Sequence, residues 1–277
     1  MRIVVLSDNR KMDESLESEH GLSIYVETAQ YKCLLDTGAS DIFIRNAEKL
    51  GIDLLDIDYV FISHGHADHI GGLPAFLELN SKAKIVLSSQ ALNQQFFSKR
   101  LGLHEIGISL DVNQYPGRFV LVDSESVFEN DIRVFSSTSE AFPRPKGNRA
   151  LFKDAGNDLE HDDFDHELIV YFGSDELLVF IGCGHKGLFN ILETVKEKTN
   201  KRVRSVIGGF HMLDSTALQQ YESKEEIEAI AEILKRDYPH TDFITGHCTG
   251  DGAYKQIKSI LGDKLIQFYT GFEKKTN

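Results

Sequence analysis

Ser63-His64-Gly65-His66-Ala67-Asp68-His69-Ile70-Gly71-Gly72-Leu73 sets three histidines and a carboxylate within six residues. The apolar run Asp58-Tyr59-Val60-Phe61-Ile62 precedes it and reads as a buried strand, and a helix is expected over 71–79. A loop that tight brings four side chains to one point, at the strand end where α/β proteins usually place chemistry. Imidazole suits zinc, iron or manganese, and a carboxylate adds negative charge while a coordination position stays open for water. Gly65 lets the loop turn between two donors, and Gly71-Gly72 permit close packing where the helix begins. A lone histidine in such a loop is usually an ordinary surface group, but four potential ligands in one loop point to metal.

Outward from this loop the pattern is strands first, then strands alternating with helices. Residues 2–7, 22–28 and 31–36 are β-branched, apolar stretches that form an opening meander. Thr37-Gly38-Ala39-Ser40 makes a turn in which Ser40 caps a helix running to about Leu50 and stopped by Gly51. A strand over 84–88 and a helix over 90–98 follow. Residues 99–165 hold three of the five prolines and the polar run Pro143-Arg144-Pro145-Lys146-Gly147-Asn148-Arg149, so this region is expected to be irregular and to cover the site. A hairpin over 168–172 and 177–181 ends in Gly182-Cys183-Gly184-His185, and a helix is expected from 187 to 198. A strand over 203–208 ends in Gly208-Gly209-Phe210-His211. Ser223-Lys224-Glu225-Glu226 has capping-box spacing and opens a helix to about Asp237. A strand over 241–245 ends in Gly246-His247-Cys248-Thr249-Gly250, and a helix and a strand over 264–268 close the chain. One domain over 1–277 is the simplest division.

The chain has 277 residues, 41% hydrophobic and 26% charged, enough for one large core. A formal net charge of −13 argues against a nucleic-acid surface, which needs clustered Lys and Arg. No apolar run approaches the roughly 20 residues needed to cross a bilayer, and the first residues lack a signal peptide's apolar core. A cytoplasmic protein without a membrane partner is expected. Three scattered cysteines, Cys33, Cys183 and Cys248, suit a reducing compartment.

His-x-His-x-Asp-His after an apolar strand resembles the signature of the metallo-β-lactamase superfamily, carried here by His64, His66, Asp68 and His69. Glu19-His20-Gly21-Leu22-Ser23, Leu35-Asp36-Thr37-Gly38, Gly182-Cys183-Gly184-His185-Lys186-Gly187, Gly208-Gly209-Phe210-His211 and His247-Cys248-Thr249-Gly250 resemble the ordered motifs of one branch. That branch is called after a synthase of a dihydropterin-linked ribofuranosylaminobenzene phosphate. The resemblance implies an αββα sandwich of two mixed sheets, and two divalent metal ions at one edge, zinc first and manganese or iron as alternatives. It assigns His64 and His66 to the first ion, Asp68 and His69 to the second, and His247 as the last ligand. Where many members carry Gly-Asp, with the Asp bridging both ions, this chain has Gly182-Cys183. A third histidine for the first ion is therefore sought nearby: His185 is preferred, with His166 as the alternative. Cys183 is a bridging thiolate or a buried packing residue.

His211 ends a strand at the same edge and is read as a proton donor or substrate contact rather than a ligand. Asp68 combines ligation with orienting the nucleophile. Asp36 is placed behind the ligands, holding a histidine or the loop backbone, and Asn9 and Ser23 are candidate substrate contacts or turn formers. Cys248 is read as packing, and His20, His104, His161 and His240 as ordinary surface or core histidines. Arg144, Lys146, Arg149 and Lys186 are candidates for contacting an anionic small-molecule substrate, though surface charge is the plainer reading.

The expected function is hydrolysis of a phosphate ester or phosphodiester, or of a carboxylic ester, by hydroxide activated at a dinuclear metal site. The alternatives are a condensing enzyme like the synthase and a non-catalytic metal-binding or sensor protein. A homo-oligomer is left open.

Overall fold

A computed structural model describes residues 1–92, 94–128 and 131–275. Alternation of side chains along the strands decides the layering, because successive residues of a strand face opposite sides of its sheet. In strand Arg2–Ser7, Ile3 and Val5 join one apolar cluster and Val4 and Leu6 another. In strand Glu176–Phe180, Leu178 and Phe180 share the cluster of Ile3 and Val5, whereas Leu177 and Val179 face Ile191, Leu192, Ile227 and Leu234. Those four belong to helices Leu188–Thr199 and Lys224–Asp237. On the far side, Val4, Leu6 and Leu34 pack with Phe43 of helix Ile42–Lys49 and Phe76 of helix Leu73–Leu79. Two sheets thus meet face to face with helices outside, the αββα sandwich expected from the sequence.

Each of these sheets has seven strands. In the first, Glu273–Lys275, Arg2–Ser7, Ser23–Glu27, Lys32–Leu35, Tyr59–Phe61, Lys84–Leu87 and Phe119–Leu121 lie side by side in that order. In the second the order is Leu265–Gln267, Asp242–Thr245, Arg202–Ile207, Glu176–Phe180, Ile169–Phe172, Ile132–Phe135 and Ser126–Phe128. Parallel pairing sets the functional edge. Leu35 lies beside Phe61 in the first sheet, and Phe180, Ile207 and Ile244 lie level in the second, so the loops that follow these strands open on one side.

The helix expected over 71–79 is present as Leu73–Leu79, preceded by a short helix, Ala67–Ile70, with Gly71-Gly72 between them. A Cβ on Gly72 would stand 2.1 Å from the Thr37 carbonyl oxygen, so the close approach of these turns requires glycine. Two other local expectations fail because a distant partner overrides local pattern. The helix expected over 90–98 is instead a single turn, Ser89–Ala91, and a strand, Phe96–Ser98, that pairs with Leu151–Asp154. Residues 99–165 are not irregular throughout. They supply strands to both large sheets and most of a four-stranded sheet of Leu159–His161, Leu151–Asp154, Phe96–Ser98 and His104–Glu105. Among the described residues, no helix is long and apolar enough to cross a membrane.

Candidate metal centre

His64, His66, His185, His211 and His247 sit in loops past strand ends, His69 lies in the helix Ala67–Ile70, and three key positions carry left-handed backbone. Asp36, His211 and His247 have φ of 61°, 51° and 52°. Such conformations are costly for residues other than glycine and persist where the surroundings enforce them.

Asp36 lies fully buried beneath the histidine loop. One of its carboxylate oxygens accepts the Ser63 N–H at 2.7 Å, and the other accepts the Ser63 hydroxyl at 2.7 Å and lies 2.7 Å from His69 Nδ1. Ser63 Oγ is also 2.9 Å from His64 Nδ1. With the Nδ1 side engaged, the Nε2 atoms of both imidazoles face outward. His64 Nε2 then lies 3.3 Å from His185 Nε2, and His69 Nε2 lies 3.1 Å from His247 Nε2 and 3.2 Å from Cys183 Sγ. Asp68 Oδ2 is 3.2 Å from His247 Nε2 and 3.6 Å from His69 Nε2.

These separations test the fit to a metal. An ion with bonds of about 2.0–2.1 Å to imidazole nitrogen in tetrahedral geometry holds its ligand atoms about 3.3 Å apart. His64, Cys183 and His185 offer donor atoms within 4.8 Å of one another, as do His69, Cys183 and His247, with the Cys183 sulfur common to both sets. Burial drives His64 and His185 well below the usual histidine range and takes His66 down to about 4, so these rings are neutral, the form that ligates. Burial would raise Asp68, but His69 and His247 hold it well below the ordinary carboxylate range. Burial also opposes a charge on His247, yet the Asp68 carboxylate bonded to it carries it up to about 9. The donor set therefore fits divalent metal.

His185, rather than His166, reaches the His64 ring. His166 is turned to the loop backbone: its Nδ1 accepts the Gly65 N–H at 3.0 Å and its Nε2 is 3.0 Å from Asp162. The same Asp162 carboxylate stands 3.6 Å from His66 Nε2. Glu167 accepts the backbone N–H groups of His185 and Lys186 at 2.7 and 2.9 Å, and Asn148 Oδ1 lies 2.9 Å from His185 Nδ1. Sequence reading missed Asp162, Glu167 and Asn148; all three come from the segment before the 168–172 strand, far in sequence from the loop they hold.

A cavity of about 580 Å³ opens over these donors, lined by His66, Asp68, Cys183, His185, His211 and His247 among others. Asn9 lines it and braces His247, donating to its carbonyl at 2.9 Å, with Oδ1 3.2 Å from its Nδ1. Ser23 does not line it; its hydroxyl donates to the Asp36 carbonyl at 3.0 Å, which makes it a support of the strand end. His20 belongs to the site despite its ordinary look in sequence: its Nε2 is 3.3 Å from Asp68 Oδ2 and its ring stacks on His247. The Glu19-His20-Gly21 motif was the available signal. His104 also lines the cavity, while His161 stacks on Phe152 outside it. Cys248 lines it too, near Cys183 and His211. His211 Nε2 lies 2.7 Å from the Arg100 guanidinium, a neighbour the sequence did not suggest. The four basic candidates point elsewhere. Arg144, Lys146 and Arg149 line a separate groove, and the Lys186 ammonium donates to the Ser136 carbonyl.

Two packed sheets, paired strand-end loops and two sets of histidine donors around one sulfur define a class of protein. The chain belongs to the metallo-beta-lactamase superfamily, whose family model matches residues 18–180, more than half its length. Its structure is similar throughout to the crystal structure of a metal-dependent hydrolase of the beta-lactamase superfamily, 31% identical, covering 100% of this chain and 99% of that one at a TM-score of 0.81. It is 24% identical to an uncharacterized protein of Methanocaldococcus jannaschii over 93% of this chain and 94% of that relative. It is 25% identical to the same organism's 7,8-dihydropterin-6-methyl-4-(beta-D-ribofuranosyl)-aminobenzene-5'-phosphate synthase, over 92% of this chain and 89% of the relative.

Proposed function

We propose that this protein is a hydrolase dependent on two divalent metal ions, zinc first, acting on phosphate esters or phosphodiesters of small molecules, with carboxylic esters as the second substrate class. The observation that carries the reading is the Cys183 sulfur shared between the sets His64–His185 and His69–His247. His64, His66 and His185 would hold the first ion and Asp68, His69 and His247 the second, with the Cys183 sulfur within reach of both sets. Divalent ions at these donors would supply Lewis acidity that makes water a nucleophile near neutral pH and would offset negative charge developing on the substrate. The Asp68 carboxylate, 3.2 Å from His247 Nε2, would orient the attacking water. The neutral His211 accepts from Arg100 at Nε2, so its first task is to position that guanidinium; donating a proton from Nε2 would require the contact to break. Likeness to the synthase supports a condensing reaction as the second reading, distinguished by whether water or a second organic molecule is consumed.

The test is metal content per chain, on protein purified without chelator, for the wild type, Asp68→Ala and His185→Ala. About two zinc, manganese or iron ions in the wild type, with loss in both variants, supports the reading and opens a screen of phosphodiesters and esters. Failure of the wild type to hold or take up metal on titration would sink it.

A further inference from the structure

The cavity over the donor cluster is poor in lysine and arginine side chains. Among the described residues that line it, Arg100 is the single lysine or arginine, and the acids Asp68 and Glu105 share the lining. In a chain of net charge −13, a fixed side-chain cation beside the metal donors gives an anion a second point of attachment. Arg100 stands where strand Phe96–Ser98 of the four-stranded sheet has just ended, and it is anchored by its main chain: its N–H donates to Ser98 Oγ at 3.2 Å, and its carbonyl accepts from Gln219 Nε2 at 3.0 Å.

The guanidinium is held but not neutralised. Nη2 donates to the Gly147 carbonyl at 3.2 Å and to His211 Nε2 at 2.7 Å. Its buried Nε has no acceptor, and no carboxylate among the described residues pairs with it. The turn at Gly147 is built for this approach, since a Cβ there would stand 2.7 Å from His211 Cδ2. A half-buried guanidinium whose buried Nε lacks an acceptor, and which has no carboxylate partner, is completed by a ligand oxyanion. Beside it the cavity wall is aliphatic: Leu101, Ile106, Leu151 and Leu213. Leu101 is 95% exposed and Leu103 60% exposed at the turn that follows Arg100, where bare aliphatic surface is available to cover an apolar group.

We propose that Arg100 is the anion-recognising residue of this site, and that the substrate it selects is an oxyanion, phosphoryl or carboxylate, carried on an apolar body that lies against Leu101, Ile106, Leu151 and Leu213. The proposal deepens the hydrolase reading and rests on it for the reaction, though not for the binding.

The test uses the zinc-loaded full chain and phenylphosphonate as probe, with affinity measured by calorimetry for the wild type, Arg100→Gln and Arg100→Lys. Arg100→Gln weakens binding about tenfold or more, and Arg100→Lys, which keeps the charge but not the planar fork, falls between. On substrates, the ratio of kcat/KM for bis(4-nitrophenyl) phosphate to that for neutral 4-nitrophenyl acetate falls by a similar factor in Arg100→Gln, a selective change that general loosening of the site does not produce. Zinc content is measured alongside, and Arg100→Met, which keeps the stem, replaces the Gln variant if that one does not fold. Equal affinity for phenylphosphonate with and without the guanidinium, or no binding by the wild type, overturns the proposal. Arg100-dependent binding without turnover of any ester leaves it standing and sinks the hydrolase reading instead.

Discussion

The Asp36 carboxylate lies 2.7 Å from His69 Nδ1 and accepts the Ser63 N–H with its other oxygen, tying the His69 ring and the backbone of its loop to one buried group. Asp36 itself sits in left-handed backbone at the end of strand Lys32–Leu35. A carboxylate so placed fixes which ring nitrogen carries the proton and leaves Nε2 free to ligate.

Asp36→Asn keeps the shape but replaces one accepting oxygen with a donor. The expected outcome is a loss of about 10–100-fold in affinity for the ion that His69 and His247 would hold under the proposed function. Competitive titration with a chromophoric chelator measures it, and unchanged affinity would show that the tie to His69 does not set ligand quality.

Asp162 holds the other half of the site. It reaches both His166 and His66, and although burial works against its charge, those rings hold it far below the usual carboxylate range. Asp162→Asn is expected to weaken the ion on the His64–His66–His185 side by about 10–100-fold. Two-step metal titrations of this variant and Asp36→Asn should therefore lose different steps; loss of the same step in both would contradict the division of ligands.

In metal-free protein the His247–Asp68 pair makes stability depend on pH. His247 rises from an ordinary value of 6.5 to about 9 in the folded state. Between those values the folded protein binds more protons than the unfolded one, so the contribution is complete below pH 6.5 and is lost as pH climbs through about 9. His66 acts in the opposite window. It is depressed to about 4, and its contribution is present above pH 6.5 and lost as pH falls towards 4. Thermal unfolding of chelated protein should show a falling Tm from pH 6.5 to 9 that flattens in His247→Gln; an unaltered slope in that variant would refute the assignment.

Ser223 offers a test of the fold apart from the site. Its hydroxyl accepts the Glu226 N–H at 3.3 Å, and the Glu226 carboxylate accepts the Ser223 N–H at 2.7 Å, closing the capping box of helix Lys224–Asp237. Ser223→Ala should cost about 1 kcal/mol in denaturant unfolding, with metal content unaltered. A much larger cost would mean that this end supports more than its helix.

The histidine loop was readable because its four donors are neighbours in the chain, where sequence spacing and spatial spacing nearly coincide. Cys183, His185, His211 and His247 were readable for a weaker reason: each follows an apolar strand and sits among glycines, so each is placed at the same edge once the strands are parallel. Arg100 was not readable. It meets His211 across 111 residues, and its approach depends on Phe96–Ser98 being a strand, whereas local pattern suggested a helix there. Pairing with Leu151–Asp154 reversed that preference.

By itself the sequence determined the layered fold, through the period-two and helical placement of its apolar residues, and the chemical character of the site, through the kinds of side chain at its strand ends. Which of His166 and His185 faces His64, that Cys183 stands between the two donor sets, and that His20 and Arg100 enter the cavity were decided only by tertiary structure. The physical reason is that burial patterns are written locally and repeat along the chain, while contacts between distant loops depend on how both sheets pack and leave no periodic trace in the residues that make them.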